Sequence, residues 1–216
     1  MADFAVIGLG RFGSAAALEL MRMGHSVLGV DNDPKIVDQY ADQLSRAVIA
    51  DVTDAAAVHE LGLNHYDVVL IAIGDDIQAS LVCVVHVKAI GVNKIWVKAI
   101  SHAQHLILNK LGVQRIIHPE EEMGVRVAQM LSYPMVNDYI SLGNGEFVVE
   151  ITASERLTDI QIGNLLEHEK TIEVLLVKRK TQIIARPDSD FILQPKDLLV
   201  LFGSLHDLRS IAPKLL

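Results

Sequence analysis

The sequence has a single cysteine, few aromatic residues and no long apolar run. Cys83 cannot form a disulfide within the chain, and its place in the apolar segment 81–85 indicates a small core residue rather than a reactive thiol. No apolar stretch approaches the ~20 residues that a membrane-spanning helix needs. The chain also opens at once on a strand-like segment rather than on a signal peptide. These features together predict a cytoplasmic protein.

The sequence also has little positive charge. Lysine and arginine number 19 against 27 acidic residues, and the resulting net charge of −8 argues against nucleic acid as the main partner. Half of the 216 residues are hydrophobic, which is a high fraction for one large or two small domains. We expect this apolar surplus to fill doubly buried parallel strands and subunit interfaces.

The most informative stretch is the motif Gly8-Leu9-Gly10-Arg11-Phe12-Gly13, which lies between a strand-like segment and the helix-periodic segment 15–23. A strand that turns into a helix through G-x-G-x-x-G is typical of dinucleotide-binding folds. Gly8 allows the tight turn, Gly10 lets a pyrophosphate approach the backbone, and Gly13 lets the helix pack on the strand. The N-terminus of the helix then offers N–H groups to the phosphates.

An acid follows the second predicted strand, as this fold requires. The strand at 26–30 ends at Asp31, where a carboxylate can accept hydrogen bonds from ribose hydroxyls. Asn32 comes next, and no arginine lies nearby to bind a 2′-phosphate, so NADP is disfavoured.

Strand and helix patterns alternate through the first half of the chain, and this alternation predicts an α/β Rossmann fold with a doubly wound parallel sheet. Asp33 is the expected N-cap of the second helix, Thr53 or Asp54 that of the third, and Gly91 and Gly112 are expected to end later helices. The predicted strands are 4–7, 26–30, 47–50, 67–73, 94–98 and 114–117, and the predicted helices are 15–23, 34–44, 54–61, 77–90 and 103–111.

Ligands of such sheets bind beyond the carboxyl ends of the strands. Asp31 is expected to bind ribose, Asp51 to accept from an adenine amino group, and Gly74 to let the backbone come close. For Asp51 an ordinary loop role stays open as an alternative. The candidate binding residues at this edge are Gly8, Gly10, Arg11, Phe12, Gly13, Asp31, Asn32, Asp33, Asp51, Val52, Ile73, Gly74, Asp75, Lys98 and Ala99.

An acidic triplet, Glu120 to Glu122, follows the sixth strand and Pro119. Glutamates in the first turn of a helix interact favourably with the helix dipole. Clustered carboxylates also suit a hard cation at a subunit junction. The spacing does not decide between these two roles.

The remaining residues predict a small α+β domain. We therefore expect a Rossmann domain at 1–118, a crossover helix as connector at 119–138 with a break at Pro134, and a second domain at 139–216. The basic segment Lys178 to Lys180 is expected to be a solvated hairpin turn. The elements predicted in the second domain are strands 147–151, 171–179, 182–185 and 198–202 and helices 157–166 and 205–215.

The sequence offers no recognisable catalytic group. The second domain supplies no proton donor or acceptor for a nicotinamide, and His102 and His105 are interpreted as an exposed helix pair. A regulatory nucleotide site is therefore the first hypothesis. An NAD(H)-binding oxidoreductase or redox sensor is the alternative, whereas a repressor is disfavoured by the acidic charge and the lack of a helix-turn-helix.

Four stretches carry a more specific resemblance: Gly-Arg-Phe-Gly at 10–13, Ile-Gln-Ala-Ser at 77–80, Ile-Trp-Val-Lys-Ala at 95–99 and Ile-Ile-His-Pro-Glu at 116–120. In this combination the whole chain resembles the KtrA-like cytosolic gating subunits of Ktr potassium uptake systems. These subunits are built from the RCK domain pair, TrkA-N followed by TrkA-C.

The resemblance implies a homodimer that assembles into an octameric ring beneath a KtrB-like membrane potassium-translocating subunit, at the inner face of the cell membrane. It implies that ATP and ADP compete for the Rossmann site, that NAD or NADH can occupy the same fold, and that the nucleotide sets the shape of the ring.

The resemblance also assigns residue roles. Arg11 matches an arginine that reaches the γ-phosphate of the nucleotide in the neighbouring subunit, and Glu120 matches a glutamate that holds Ca²⁺ or Mg²⁺ when ATP is bound. Asp31 to Asp33, Asp51, Gly74 and Lys98 fall at nucleotide-contact positions. Segment 164–177 lies where some relatives bind cyclic di-AMP.

Overall fold

The structure, a computed structural model, describes residues 1–132, 136–155, 160–167 and 171–215. The predicted break at Pro134 and the predicted helix start at 157–159 lie outside these residues. Backbone contacts divide the chain into two units, Met1–Met123 and Gly124–Leu216, which are described separately. The assignment of 119–138 as a connector stays a prediction.

The first unit is a six-stranded parallel sheet with flanking helices, as predicted. Its strand order is β3-β2-β1-β4-β5-β6, the doubly wound order in which the chain reverses direction between β1 and β4. The strands are β1 Asp3–Ile7, β2 Ser26–Asp31, β3 Arg46–Ile49, β4 Val68–Ile71, β5 Ile95–Lys98 and β6 Arg115–Ile117, and the helices are α1 Arg11–Arg22, α2 Pro34–Tyr40, α3 Ala55–Glu60, α4 Ile77–Ala89 and α5 His102–Lys110, with a short 3₁₀ turn at Leu63–His65.

Short polar side chains begin the helices of this unit. Asp33 accepts a hydrogen bond from the Lys35 N–H at the start of α2, which confirms the predicted N-cap. Asp54 accepts from the Ala56 N–H, so Asp54 rather than Thr53 is the N-cap of α3. Gly91, at φ +86°, follows the last residues of α4 in the expected left-handed conformation.

Both faces of the central strands are buried. Ala5 and Ile7 of β1 pack into the core on one side of the sheet, and Val6 packs into the core on the other. This two-sided burial is why parallel strands consist of nearly continuous apolar residues. Cys83 is fully buried on α4, and this burial raises the pKa of its thiol to about 12. The prediction that Cys83 is a core residue is confirmed.

The helix α6, Pro119–Ser132, begins in the first unit and continues into the second. It has no buried residue, and several apolar side chains along it are exposed, among them Met123, Val125, Val127 and Leu131. At 14 residues it is shorter than a bilayer requires. Among the described ranges, no helix combines the length and the apolar character needed to cross a membrane.

The second unit contains a five-stranded antiparallel sheet in the order β10-β9-β11-β8-β7. Its core is formed by alternate residues of β8, β9 and β11 together with the helices. The strands are β7 Val136–Gly143, β8 Glu146–Thr152, β9 Glu173–Arg179, β10 Gln182–Ala185 and β11 Leu198–Ser204, and the helices are α7 Ile162–Leu166 and α8 Leu205–Leu215. The predicted hairpin at 171–185 is confirmed, with Lys180 at φ +56° in its turn.

One strand of this unit was not predicted from the sequence. β7 is the edge strand, most of its side chains are exposed, and its sequence lacks a regular alternation of apolar and polar residues. Its pairing with β8 is directed by the turn at Gly143, Asn144 and Gly145, all of which have positive φ. Only the partner strand gives this segment its extended form.

Candidate nucleotide-binding site

A cleft of about 560 Å³ lies at the carboxyl ends of β1 to β4. The chain reverses its direction across the sheet at this place, which is where ligands of doubly wound folds bind. Most of the predicted binding residues line the cleft: Gly8, Gly10, Asp31, Asn32, Asp33, Asp51, Val52, Ile73, Gly74 and Asp75.

The glycine turn has three different steric environments. Gly8 has φ +89°, and a Cβ there would lie 3.1 Å from the Ala72 carbonyl carbon. A Cβ on Gly13 would lie 1.9 Å from the Gly8 carbonyl oxygen, so the helix can approach the strand only through a glycine. A Cβ on Gly10 would meet nothing within 4 Å. Gly10 therefore leaves open space at the start of α1, as a phosphate cradle requires.

The N-terminus of α1 is open to an anion. Gly10 is the N-cap, and in this fully described part of the chain no side chain caps the helix and no acidic residue lies in its first turn. The Ser14 hydroxyl donates to the Gly10 carbonyl oxygen at 2.8 Å rather than to the cleft. The first N–H groups of the helix and its positive dipole end are thus available to a phosphate.

Asp31 holds the glycine turn in place. Its Oδ2 accepts a hydrogen bond from the Leu9 N–H at 2.7 Å, and its Oδ1 accepts from the Asp33 N–H at 3.0 Å. A carboxylate oxygen has two acceptor positions, so each oxygen can still accept from a ribose hydroxyl. The structure therefore adds a second, positioning role to the predicted ligand role of Asp31.

Asp51 forms a tight turn with Thr53, a residue that sequence reasoning named only as a possible cap. Both the N–H and the hydroxyl of Thr53 donate to Oδ1 of Asp51, at 2.9 and 2.7 Å. The hydroxyl bond, followed by the N–H bond, holds the pKa of Asp51 below its usual value. Oδ2 lies outside both bonds, which leaves it for an amino donor. The Asp-x-Thr spacing is the sequence signal for such a turn.

Lys98 and Glu120 form an ion pair beside the cleft, with Lys98 Nζ 2.6 Å from Glu120 Oε1. The pKa of Glu120 is lowered first by this hydrogen bond and also by the charge of Arg11. The Lys98 side chain is 12% exposed and that of Glu120 is 66% exposed. The predicted residues Arg11, Lys98 and Glu120 are thus close in space.

The other predicted residues lie around the first cleft rather than in its lining. Arg11 is exposed at the start of α1, and Phe12 is half-buried behind it. Ala99 is buried and lines a second cleft of about 360 Å³ together with Glu120 and Glu121.

His102 and His118 also line the second cleft. The prediction that His102 and His105 form an exposed pair on α5 is wrong. His105 is half-buried, and its Nδ1 lies 2.9 Å from Nε2 of His118 in a hydrogen bond. His102 is exposed and stacks on His105 with ring centroids 6.3 Å apart. The reason is tertiary, because β6 delivers His118 beside the N-terminal half of α5.

The cation assignment at Glu120 stays a prediction. Within the residues that the structure describes, no three His, Cys, Asp or Glu side chains are grouped so as to hold a metal ion. Ca²⁺ takes six to eight oxygen ligands. Glu120 can supply one carboxylate, and the remaining oxygens would come from phosphates, from water or from a second copy of the chain.

Comparison with known proteins agrees with this architecture. The family model described as the TrkA-N domain matches residues 4–119. The Ktr system potassium uptake protein A of Bacillus subtilis (strain 168) is 40% identical over 208 residues, which cover 96% of this chain and 94% of that protein.

Among solved structures, the GsuK RCK domain has the same fold, with a TM-score of 0.65 at 14% identity over 99% of this chain and 47% of that chain. A GsuK channel described as bound to NAD has a TM-score of 0.57 at 14% identity and covers 99% of this chain and 39% of that chain. The extent and the identity of the match to the Bacillus protein place this chain in the family of the Ktr system potassium uptake proteins, with a TrkA-N domain as its first unit.

Proposed function

We propose that this protein is a non-enzymatic, nucleotide-gated regulatory subunit of a membrane potassium-uptake system, with ATP and ADP as competing ligands. The observation that supports the proposal is the open space at Gly10 and the uncapped N-terminus of α1, in a chain related over nearly its whole length to a Ktr uptake protein. NAD or NADH is a further candidate for the same cleft.

Arg11 distinguishes ATP from ADP in this proposal. It is the first residue of the helix whose N-terminus receives the phosphates, and it is exposed. A guanidinium can bind a phosphate through two parallel hydrogen bonds, so one additional charged phosphate adds a contact that ADP lacks. In the assembled protein this contact reaches the γ-phosphate bound to a neighbouring subunit.

Glu120 holds a divalent cation, Ca²⁺ or Mg²⁺, when ATP is bound. Its carboxylate is exposed, and even the ordinary pKa of a glutamate leaves it charged at neutral pH. The γ-phosphate oxygens and the Glu120 of a second copy supply further hard oxygen ligands of the kind these cations take. The cation therefore joins the nucleotide to the dimer junction.

Two separate apolar surfaces support assembly into a dimer and then into an octameric ring. One consists of exposed apolar side chains on α6, and the other is proposed to include Val85 on α4 and Leu106 and Ile107 on α5, each of which is exposed. One self-complementary surface makes a dimer, and a second surface is needed to join dimers into a closed ring. The ring docks on a KtrB-like membrane subunit at the cytoplasmic side.

Gating is a population shift between ring conformations. A nucleotide pulls the ring toward the conformation to which it binds more tightly. A tenfold preference is worth about 1.4 kcal/mol for each site, so several sites in one ring add to a strong bias.

Calorimetric titration with ATP, ADP and NADH, each with and without Ca²⁺, tests this proposal. Arg11→Ala is expected to weaken ATP at least tenfold more than ADP, since it removes one charge-assisted contact. Arg22→Ala is the matched control, because Arg22 is on the same helix but pairs with Glu19. Equal losses for ATP and ADP, or binding of NADH alone, would contradict the proposal.

The cation role is tested in the same titrations. Glu120→Gln is expected to remove the effect of Ca²⁺ on ATP affinity, with Glu121→Gln as the neighbouring control on the same helix. An undiminished Ca²⁺ effect in Glu120→Gln would return Glu120 to a helix-dipole role. Cyclic di-AMP is titrated in parallel, because the family resemblance implies a site for it at segment 164–177; residues 168–170 of this segment lie outside the described structure.

A further inference from the structure

Lys98 occupies a position between the nucleotide cleft and Glu120. It is the last residue of β5, beside β4, and its Nζ lies so close to the backbone of Gly74 that a Cβ there would be 3.0 Å from it. Gly74 lines the nucleotide cleft. On its other side Nζ donates to Glu120 Oε1 at 2.6 Å. One ammonium group thus adjoins both a cleft wall and the predicted cation ligand.

The lining of the nucleotide cleft is acidic, so a cation beside it, such as Lys98, affects whether a phosphate can bind there. Five aspartates line the cleft, and no lysine or arginine is among its lining residues in the described chain; the aspartates are Asp31, Asp33, Asp51, Asp75 and Asp76. A phosphate that enters this acidic cleft therefore needs positive charge from outside the lining. Lys98, behind Gly74, is one such cation, and in the proposed assembly the Arg11 of a neighbouring copy is another.

We propose that Lys98 is an internal cation that competes with a divalent cation for Glu120 and is drawn away when nucleotide phosphate binds. The inference rests on the proposed function, because it assigns a regulatory role within that nucleotide site. Without nucleotide, the ammonium neutralises the Glu120 carboxylate and occupies Oε1. With nucleotide, the phosphate attracts the ammonium, and Glu120 becomes free to bind Ca²⁺ or Mg²⁺.

The burial of the two partners supports this exchange. The Lys98 side chain is 12% exposed, so its stem is confined and its head can shift only a short distance. The Glu120 side chain is 66% exposed and can turn toward another ligand. An ammonium carries three N–H donors, so Lys98 has donors besides the one used in this bond. Both partners of the ion pair therefore have hydrogen-bonding capacity that the pair does not use.

The exchange makes nucleotide and cation binding reciprocal. If nucleotide raises the affinity for the cation by removing Lys98, then the cation raises the affinity for nucleotide by the same factor. Direct ligation of the cation by phosphate also couples the two ligands. The role of Lys98 is isolated by measuring cation binding when no nucleotide is present.

The first experiment titrates Mn²⁺ into the nucleotide-free full chain and follows free Mn²⁺ by electron paramagnetic resonance. Lys98→Met is expected to raise the Mn²⁺ affinity about fivefold, the factor that corresponds to the loss of a favourable ion pair near the surface. The double variant with Glu120→Gln is expected to lose this gain. Lys88→Met is the control, since Lys88 donates to the Gly112 carbonyl oxygen away from the site.

The Mn²⁺ titration is repeated with Lys98→Gln, whose side chain is polar, so that the competition can still be tested if Lys98→Met does not fold. An Mn²⁺ affinity that is the same in wild type and in the folded Lys98 variants would overturn the competition. A gain that persists in the double variant with Glu120→Gln would overturn the assignment to Glu120.

The second experiment adds ADP, which has no γ-phosphate. In wild type ADP is expected to raise the Mn²⁺ affinity, but less than ATP does, because ADP lacks the γ-phosphate oxygens that also ligate the cation. In Lys98→Gln the enhancement by ADP is expected to be about fivefold smaller than in wild type. An undiminished enhancement would overturn the release of Lys98 by phosphate. A wild-type protein that binds neither ADP nor ATP would refute the proposed function, whereas the nucleotide-free titration would still decide whether Lys98 competes at Glu120.

Discussion

Each unit of the protein contains an ion pair that involves a partly covered cation, and the two pairs differ in how completely they are satisfied. In the second unit the side chain of Asp197 is 1% exposed. Its carboxylate accepts hydrogen bonds from Nε and Nη2 of Arg179, at 2.9 and 2.7 Å, and a third hydrogen bond from the Gln194 N–H. Arg179 also donates to the Ile192 carbonyl oxygen and lies over the ring of Phe191. This pair has little capacity left for a ligand.

The Lys98–Glu120 pair of the first unit has a single hydrogen bond and an exposed carboxylate. Removing one member of a saturated pair breaks several hydrogen bonds at once and leaves the other charge uncompensated. A pair with unused donors and acceptors can exchange partners. The same difference separates Gly13, which is packed against backbone, from Gly10, which adjoins open space. Unused capacity thus marks the groups that are available to a ligand.

The largest expected effect comes from breaking the saturated pair. Asp197→Ala leaves Arg179 without its partner and is expected to destabilise the second unit by about 3 kcal/mol, as for other buried pairs that lose one member. Asp190→Ala, at an exposed position on the same loop, is expected to change stability by less than about 0.5 kcal/mol.

Urea unfolding followed by far-UV circular dichroism measures the loss, and the fluorescence of Trp96, the single tryptophan, reports on the first unit. If Asp197→Ala and Asp190→Ala unfold at the same urea concentration, the Arg179–Asp197 pair is not structural.

The two glycines of the cradle give the next effect. Gly13→Ala is expected to cost about 2 kcal/mol of stability, because its Cβ would overlap the Gly8 carbonyl oxygen and the helix must shift. Gly10→Ala is expected to leave the unfolding midpoint of Trp96 fluorescence unchanged, yet to weaken ADP about tenfold by filling the space that a phosphate would occupy.

The control for a glycine-to-alanine change outside the glycine turn is Gly124→Ala on α6, where a Cβ meets nothing within 4 Å. Gly24→Ala is unsuitable as a control, because Gly24 has φ +84° and an alanine there would be strained. Retained nucleotide affinity in Gly10→Ala would contradict the cradle.

The smallest expected effect comes from comparing two aspartates, Asp51 and Asp207, each of which accepts a hydrogen bond from a threonine hydroxyl. Thr53→Val is expected to weaken nucleotide binding about threefold by releasing Asp51, whereas Thr171→Val, which releases Asp207 of the second unit, is expected to leave it unchanged. Because the pKa of each aspartate is lower in the folded protein, each ionised carboxylate adds to the free energy of unfolding. This contribution is complete above the ordinary pKa of 3.8 and is lost as the pH falls through the lower pKa of the folded state.

Both variants should therefore lose less stability than wild type as the pH falls from about 5 to below the ordinary aspartate pKa of 3.8. Melting temperatures across this pH range and ADP calorimetry at pH 7 are the measurements. A Thr171→Val variant with weakened nucleotide binding would show that the contrast between the two units is wrong.

Much of the first unit could be predicted because its signals are local. The glycine motif, the N-cap Asp33 and the terminating Gly91 each act within a few residues, and six apolar strands separated by helices define the sheet. The predicted strand at 67–73 extends beyond the observed β4, Val68–Ile71, because the last residues leave the ladder to form the cleft wall at Ile73 and Gly74.

Contacts between distant residues could not be predicted in this way. His118 meets His105 only because β6 and α5 are adjacent, and β7 is a strand only because β8 pairs with it. Glu120 was predicted from a resemblance to a family, and the spacing of the acidic triplet did not distinguish it from Glu121 and Glu122. No sequence signal joined Lys98 to Glu120.

The sequence by itself determined the parallel sheet, the glycine turn and the sheet edge that carries the candidate site, because hydrophobic periodicity and glycine sterics act over short distances along the chain. Only the tertiary structure decided which charged groups are saturated and which are open to exchange. Charges interact through space, so the pairing of Lys98 with Glu120 and of Arg179 with Asp197 exists only after the sheets have formed.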